Sequence, residues 1–146
     1  MTEPNSTRAP DEELKRRVAA IEEAYEFMLA YAAQGVSGEE ESGSTREIRT
    51  QLGRFDEALE GLAVLFEQVF QAGGPDAAKP RSLMIEMLRQ DAGYAQAAIQ
   101  LACSQPAISS QLIDNLNALV HLRSLLTDLF FIDELLDFQK TGSETK

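Results

Sequence analysis

Residues 108–138 read ISSQLIDNLNALVHLRSLLTDLFFIDELLDF. No other stretch of the chain is as apolar. It is too long for one strand and too rich in Asp, Asn and Ser to span a bilayer. At 100° per residue, Ile108, Leu112, Leu116, Leu119, Val120, Leu122 and Leu126 fall on one broad face, with Asp114, Asn117, His121 and Asp128 roughly opposite. The stretch reads as an amphipathic helix against which others pack. From Phe131 the pattern turns. Phe131, Ile132, Leu135, Leu136 and Phe138 cluster on nearly the other side, and Asp133, Glu134 and Asp137 take over the old apolar face. A straight helix cannot bury both halves in one core. Either it breaks near Thr127–Asp128, or its last two turns contact something else.

The helices that would pack against it lie upstream. Leu14, Val18, Ile21, Tyr25, Met28 and Ala32 recur at helical spacing, with Asp11 placed as an N-cap and Gly35 as a stop, which predicts a helix over about 11–34. Ile48, Leu52, Phe55, Leu59, Leu62, Phe66 and Val69 form an unbroken seam. Ser44 and Glu47 stand as a capping box before it, and Gly73, Gly74 and Pro75 close it, which predicts a helix over about 45–72. Gly53 and Gly61 lie off that seam. A third helix starts at Asp76 or at Lys79–Pro80 and runs through the alanine-rich DAGYAQAAIQLAC. Asp91 sits within one version of its seam, where it needs a donor if buried and water if at the edge. Pro106 marks the junction with the helix of residues 108–138. The expected fold is all-α: a four-helix, mostly antiparallel bundle over residues 11–139, a break in the last helix near residue 127, and disordered tails at 1–10 and 140–146.

Composition narrows the function. The 146 residues carry a net charge of −11, which repels phosphate backbones and anionic lipid surfaces. Nucleic acid and membranes are therefore not expected partners. Cys103 is the single cysteine, so no internal disulfide forms, and it reads as a small, partly buried apolar residue. There is no signal-peptide pattern and no run long enough to cross a membrane, so the expected location is cytoplasmic.

Chemical motifs are missing. A ferritin-like di-iron site needs two Glu-x-x-His pairs, and the chain has one histidine, His121. That histidine projects from a polar face with Asp114 and Asn117, which favours solvation over haem ligation. Glu39, Glu40 and Glu41 sit in a Gly/Ser loop and read as solvated. No phosphate-binding loop, cysteine pair or nucleophile–histidine signature is present. No catalytic residue, metal ligand or cofactor is expected.

The expected function is non-enzymatic: a protein interaction module, such as an assembly factor, chaperone or regulatory subunit. Phe131, Ile132, Leu135, Leu136 and Phe138 would form its contact surface for another protein or a second copy. The alternative is a small-molecule or cofactor binder with a pocket between the first, third and fourth helices. Tyr25, Met28, Met87 and Tyr94 would line it.

Overall fold

Pro10 opens the first helix, α1 (Pro10–Gln34), as its first residue, with Ala9 as N-cap in place of the expected Asp11. Asp11, Glu12 and Glu13 then fill the first turn, where the helix dipole favours negative charge. Gly35 ends α1 at φ 70°, a left-handed conformation that suits glycine. The computed structural model describes residues 8–144, with side chains to Gln139. The tails at 1–7 and 145–146, expected to be disordered, lie outside the described residues.

The expected helix of residues 45–72 is two helices, α2 (Gly43–Leu59) and α3 (Leu62–Val69). Gly61 at φ 66° makes the break. The apolar seam survives it: Ile48, Leu52, Phe55, Leu59, Leu62 and Phe66 are all buried. The cap also differs from expectation. Ser42, not Ser44, is the N-cap, and its hydroxyl accepts from Thr45 N at 3.2 Å while Thr45 Oγ1 accepts from Ser42 N at 3.0 Å. Thr45 also donates to the Glu40 carbonyl at 2.8 Å, which holds the capping turn against the preceding loop.

A single 3-10 turn (Pro75–Ala77) leads into α4 (Ala78–Cys103). Arg49 of α2 closes the far end of α4, donating to the carbonyls of Cys103 (2.8 Å), Gln105 (2.7 Å) and Pro106 (3.0 Å). Without it, carbonyls at a helix end have no intrahelical donor.

The expected last helix is also two, α5 (Ser110–Ala118) and α6 (Val120–Glu144). The break falls at Leu119, which is extended (φ −62°, ψ 133°), and not near residue 127. Leaving the helical path for one residue resets the phase of everything after it. Leu122, Leu125, Leu126, Leu129 and Ile132 then form one buried stripe, with Leu135 and Leu136 half-buried on the same core. The rotated face at residues 131–138 was a product of reading one straight helix through residue 119. Leu119 and Val120, expected on the buried face, are exposed, while Asn117 and Asp128, expected opposite, are buried. Helix α6 also extends to Glu144, through part of the tail expected to be disordered. Gln139 holds it there, bridging the Val69 carbonyl (3.1 Å) and the Gln71 amide (3.0 Å) at the end of α3.

All six α-helices contribute to one apolar core, and α1 packs on α2, α3 and α5 while α4 packs on α2, α3, α5 and α6. Its tightest polar knot lies where α1 ends and α5 begins. Tyr31, fully buried, donates its hydroxyl to the Ile108 carbonyl at 2.6 Å. Ser110 donates to the Tyr31 carbonyl at 2.6 Å and accepts from Val36 N at 3.0 Å, while Ser110 N donates to the Val36 carbonyl at 2.9 Å. Gly38 passes so close that a Cβ there would sit 2.3 Å from the Ile108 oxygen. At the other end of α1, buried Glu13 accepts from Arg8 (2.7 Å), Arg16 (2.7 Å) and Arg17 (2.8 Å). Hydrogen bonding by Arg16, helped by Arg17 and Arg8, outweighs the opposing effect of burial and holds the Glu13 carboxyl well below the usual range.

Tyr31→Phe strands the buried Ile108 carbonyl and should cost about 1–3 kcal/mol, with Gly38→Ala at least as damaging, both read from urea denaturation. Because the carboxyl of Glu13 ionises more readily folded than unfolded, its stabilisation is complete above the ordinary carboxylate range and fades as pH falls below it. Glu13→Gln should therefore flatten the loss of urea midpoint between pH 5 and pH 2.

Candidate docking face and acidic groove

Two lines of apolar side chains remain outside the core. On α4, Leu83, Met87, Tyr94 and Leu101 are exposed, and they fall within about 40° of one another on a helical wheel. On α6, Val120, Phe131 and Phe138 are exposed and fall within about 20°. The two helices pack together. Tyr94 meets the His121 ring at 4.5 Å, and Asp91 lies within hydrogen-bonding reach of Asp128. Residue numbers thus rise along α4 as they fall along α6, and the two apolar lines flank one groove.

One part of that groove is a pocket of about 380 Å³ lined by Met87 and Asp91 of α4 and by Val120, Arg123, Ser124, Thr127 and Asp128 of α6. Toward the start of α5 lies a second, mostly apolar pocket of about 400 Å³, walled by Ala98 and Leu101 of α4 and by Leu112, Leu116 and Leu119. The face followed along α4 from Leu83 to Leu101 is about 27 Å long at 1.5 Å per residue. Most of the large apolar side chains exposed among the described residues lie on it, so it differs in kind from singly scattered surface leucines.

The first pocket has an unusual acid in its wall. Asp128 is only 6% exposed, and its Oδ2 has no hydrogen-bond donor. Its neighbour across the helix pair is another acid, the half-buried Asp91. Burial pushes the Asp128 carboxyl up to about 7, and the hydrogen bond and charge of Asp91 add to the rise. A carboxyl at that value is poised to gain or lose its proton near neutrality. When protonated it donates to Asp91; when ionised it is left facing a second acid in a partly apolar wall.

The residues expected at the contact surface divide between two sides of α6. Phe131 and Phe138 are exposed, Phe138 by 76%, and lie on the outer line. Ile132 is fully buried and belongs to the core, and Leu135 and Leu136 pack half-buried against it. The expected ligand pocket is not assembled. Met28 is fully buried in the core and Tyr25 packs against it from α1, whereas Met87 and Tyr94 lie on the outer side of α4. His121 is exposed and occupied by its contact with Tyr94. Cys103 is half-buried, and burial raises its thiol above the usual range. In the loop, Glu40 accepts from Ser37 Oγ and Gly38 N. Among the described residues, no three His, Cys, Asp or Glu side chains are grouped to hold a metal ion, and no helix is long and apolar enough to cross a membrane.

Sequence reasoning missed Asp128 and the α4 line. Leu83, Met87, Tyr94 and Leu101, at intervals of 4, 7 and 7, form a second apolar line beside the buried one, so that signal was present. Asp128 carried none: its burial depends on the phase reset at Leu119. No protein-family model, curated protein or solved structure matches this chain.

An acid that ionises less readily folded than unfolded lowers stability as pH rises from its ordinary value through its folded value. For Asp128 that window runs from about pH 4 to about pH 7. Asp128→Asn, which keeps the shape and adds a donor for Asp91, should raise unfolding free energy at pH 8 by on the order of 2 kcal/mol and change it far less at pH 4. Urea melts at both pH values measure this.

Proposed function

We propose that this chain is a non-enzymatic interaction protein that uses its α4/α6 face to dock an amphipathic helix of another protein. On this reading the six helices make a four-helix, mostly antiparallel bundle in which α2/α3 and α5/α6 are each one interrupted member. It acts in the cytoplasm, as an assembly factor, chaperone or regulatory subunit. The observation that carries the proposal is the exposed apolar face along α4 and α6, interrupted by a buried carboxyl with no donor. A helix-sized groove flanked by apolar side chains, with a pair of acids in its wall, suits a partner helix, its apolar side chains seated along Leu83, Met87, Tyr94, Val120 and Phe131.

Charge selects the occupant. A second copy brings another net charge of −11 and, in a two-fold arrangement, sets one acidic pair toward its twin. A different protein whose helix carries basic residues reverses the sign and gains steering from the acidic surface.

A photoreactive phenylalanine analogue placed at Tyr94, with exposed Thr50 of α2 as the control position, tests the reading in the source cell. Cross-linking is expected at Tyr94 and not at Thr50. Mapping of the cross-linked segment should show a basic amphipathic helix, and Phe131→Glu should remove the adduct. Equal labelling at both positions, or none at Tyr94, overturns the docking face. Adducts with another copy of the chain, together with a dimer mass by light scattering, replace the basic partner with self-association.

A further inference from the structure

The apolar lines account for docking but not for the acid in the groove wall, which hydrophobic contact alone would select against. We propose that the groove between Asp91 and Asp128 is a receptor for one basic side chain, arginine or lysine, of the docked helix, and that this side chain takes the place of the proton held between the two carboxyl groups. The inference rests on the docking reading and specifies the chemistry of its partner.

The geometry supports it from three directions. Asp128 Oδ2 is buried, lines the pocket and has no donor. A guanidinium or ammonium group entering from outside would supply one and would reach Asp91 on the facing helix as well. The pocket walls offer Met87 and Val120, which suit the methylene stem of a long basic side chain whose charged head goes to the acids. Among the described residues no cation does the job already. Arg123 lines the same pocket but forms no ion pair with Asp128, and Asp128 Oδ2 remains without a donor beside it. The charged and titratable groups facing Asp128 are Asp91 from α4 and Arg123 from α6, with His121 two turns before Asp128 on α6 and held against Tyr94.

Proton bookkeeping follows directly. Below neutrality the groove holds a proton on Asp128, donated to Asp91. An arriving cation takes the place of the proton's charge between the two carboxylates, and the proton leaves to solvent. Binding of the basic helix thus releases one proton, and affinity rises with pH. With the free carboxyl near 7, one released proton strengthens binding about tenfold between pH 6 and pH 8. A helix without the cation gains nothing from the rise.

The test uses the full chain and three synthetic amphipathic helices, identical except at one central position on the apolar face: arginine, norleucine or glutamate. Calorimetry at pH 6 and pH 8, in buffers of different ionisation enthalpy, reads affinity and protons released. Chemical shifts at Met87 and Val120 report the place of binding. The arginine helix is expected to bind about tenfold tighter at pH 8 than at pH 6 and to release close to one proton at pH 6 but only about a tenth of one at pH 8. The norleucine helix should bind the same face without pH dependence, and the glutamate helix more weakly than either. Asp128→Asn should leave the norleucine helix unaffected and abolish the pH dependence of the arginine helix. Equal binding of the norleucine and arginine helices at both pH values overturns the cation receptor and leaves the docking face standing. A tenfold dependence retained in Asp128→Asn overturns it too, because the proton then comes from another group. No shift at Met87 or Val120 with any helix overturns the docking face itself.

Discussion

The hydrogen-bonded crossing between the end of α1 and the start of α5 fixes where the second half of the chain sits. Tyr31 and Ser110 exchange bonds with the opposing backbone, and Val36 pairs with Ser110 through both amide and carbonyl. Those groups are buried or nearly so, and an unpaired polar group there would be costly. Only one register satisfies all of them, because sliding α5 along α1 by a residue removes every partner at once. Gly38 permits the approach, having no Cβ to strike the Ile108 carbonyl. Ile108 itself is buried beside the crossing, so the polar knot and the apolar core lock the same geometry. Helix α5 leaves this point with its direction fixed, and α6 follows from α5 after Leu119.

Much of the fold is legible in the spacing of the residues. The helical content, the seams of α1 and of α2/α3, and the stop at Gly35 follow from spacing and from the backbone preference of glycine, whereas α3 ends at Val69, ahead of the expected stop at Gly73–Gly74. The breaks were unequally visible. Gly61 lies off the seam, and glycine weakens a helix interior; the helix does part there, and the seam on either side keeps its phase. Leu119 gives no local warning, being a leucine among leucines. Its extended backbone comes from what each flanking helix must bury: Ile113, Leu116 and Asn117 against α1 and α4 on one side, and Leu122, Leu125 and Leu129 on the other. No straight helix satisfies both sets. The sequence pattern revealed this conflict correctly, as an apolar face that fails to stay in line, but periodicity alone placed it eight residues late. The outer face suffered the same displacement. Phe131 and Phe138 do face outward, while Ile132 shares their side only in a phase that runs straight across the break and is buried in the core.

The polar atoms left without partners are not spread evenly. Besides Asp128 Oδ2, they are Gln51 Oε1 and Asn117 Oδ1. Both of those belong to side chains that are otherwise anchored: Gln51 donates to Glu47 at 2.7 Å and Asn117 to the Met28 carbonyl at 3.4 Å. They are neutral amides, for which one unused acceptor costs little beside the bond already made. Asp128 differs on both counts. It is an acid, and its only close polar neighbour across the helix pair is another acid. A leucine or an asparagine at residue 128 would suit the core better, and stability alone gives no reason for the aspartate.

That contrast bears on how the α4/α6 face should be weighed. Exposed apolar side chains are common on protein surfaces and often mean nothing. A destabilising acid at an arbitrary core position is likewise ambiguous, since polar groups persist in cores for reasons of register as well as of function. Here register is already set at Tyr31 and Ser110, on the opposite side of α5, so Asp128 is not needed to choose it. What remains is position. The acid sits in the wall of the one groove flanked by both exposed apolar lines, where its cost is recoverable only by something that arrives from outside. The phase reset at Leu119 is what brings it there. By turning α6 relative to α5, that single extended residue carries Asp128 inward to face Asp91 and turns Val120 outward, on the line that Phe131 also holds. Without the break Asp128 would lie on the outer side with Phe131, and the groove would lose the acid that distinguishes it.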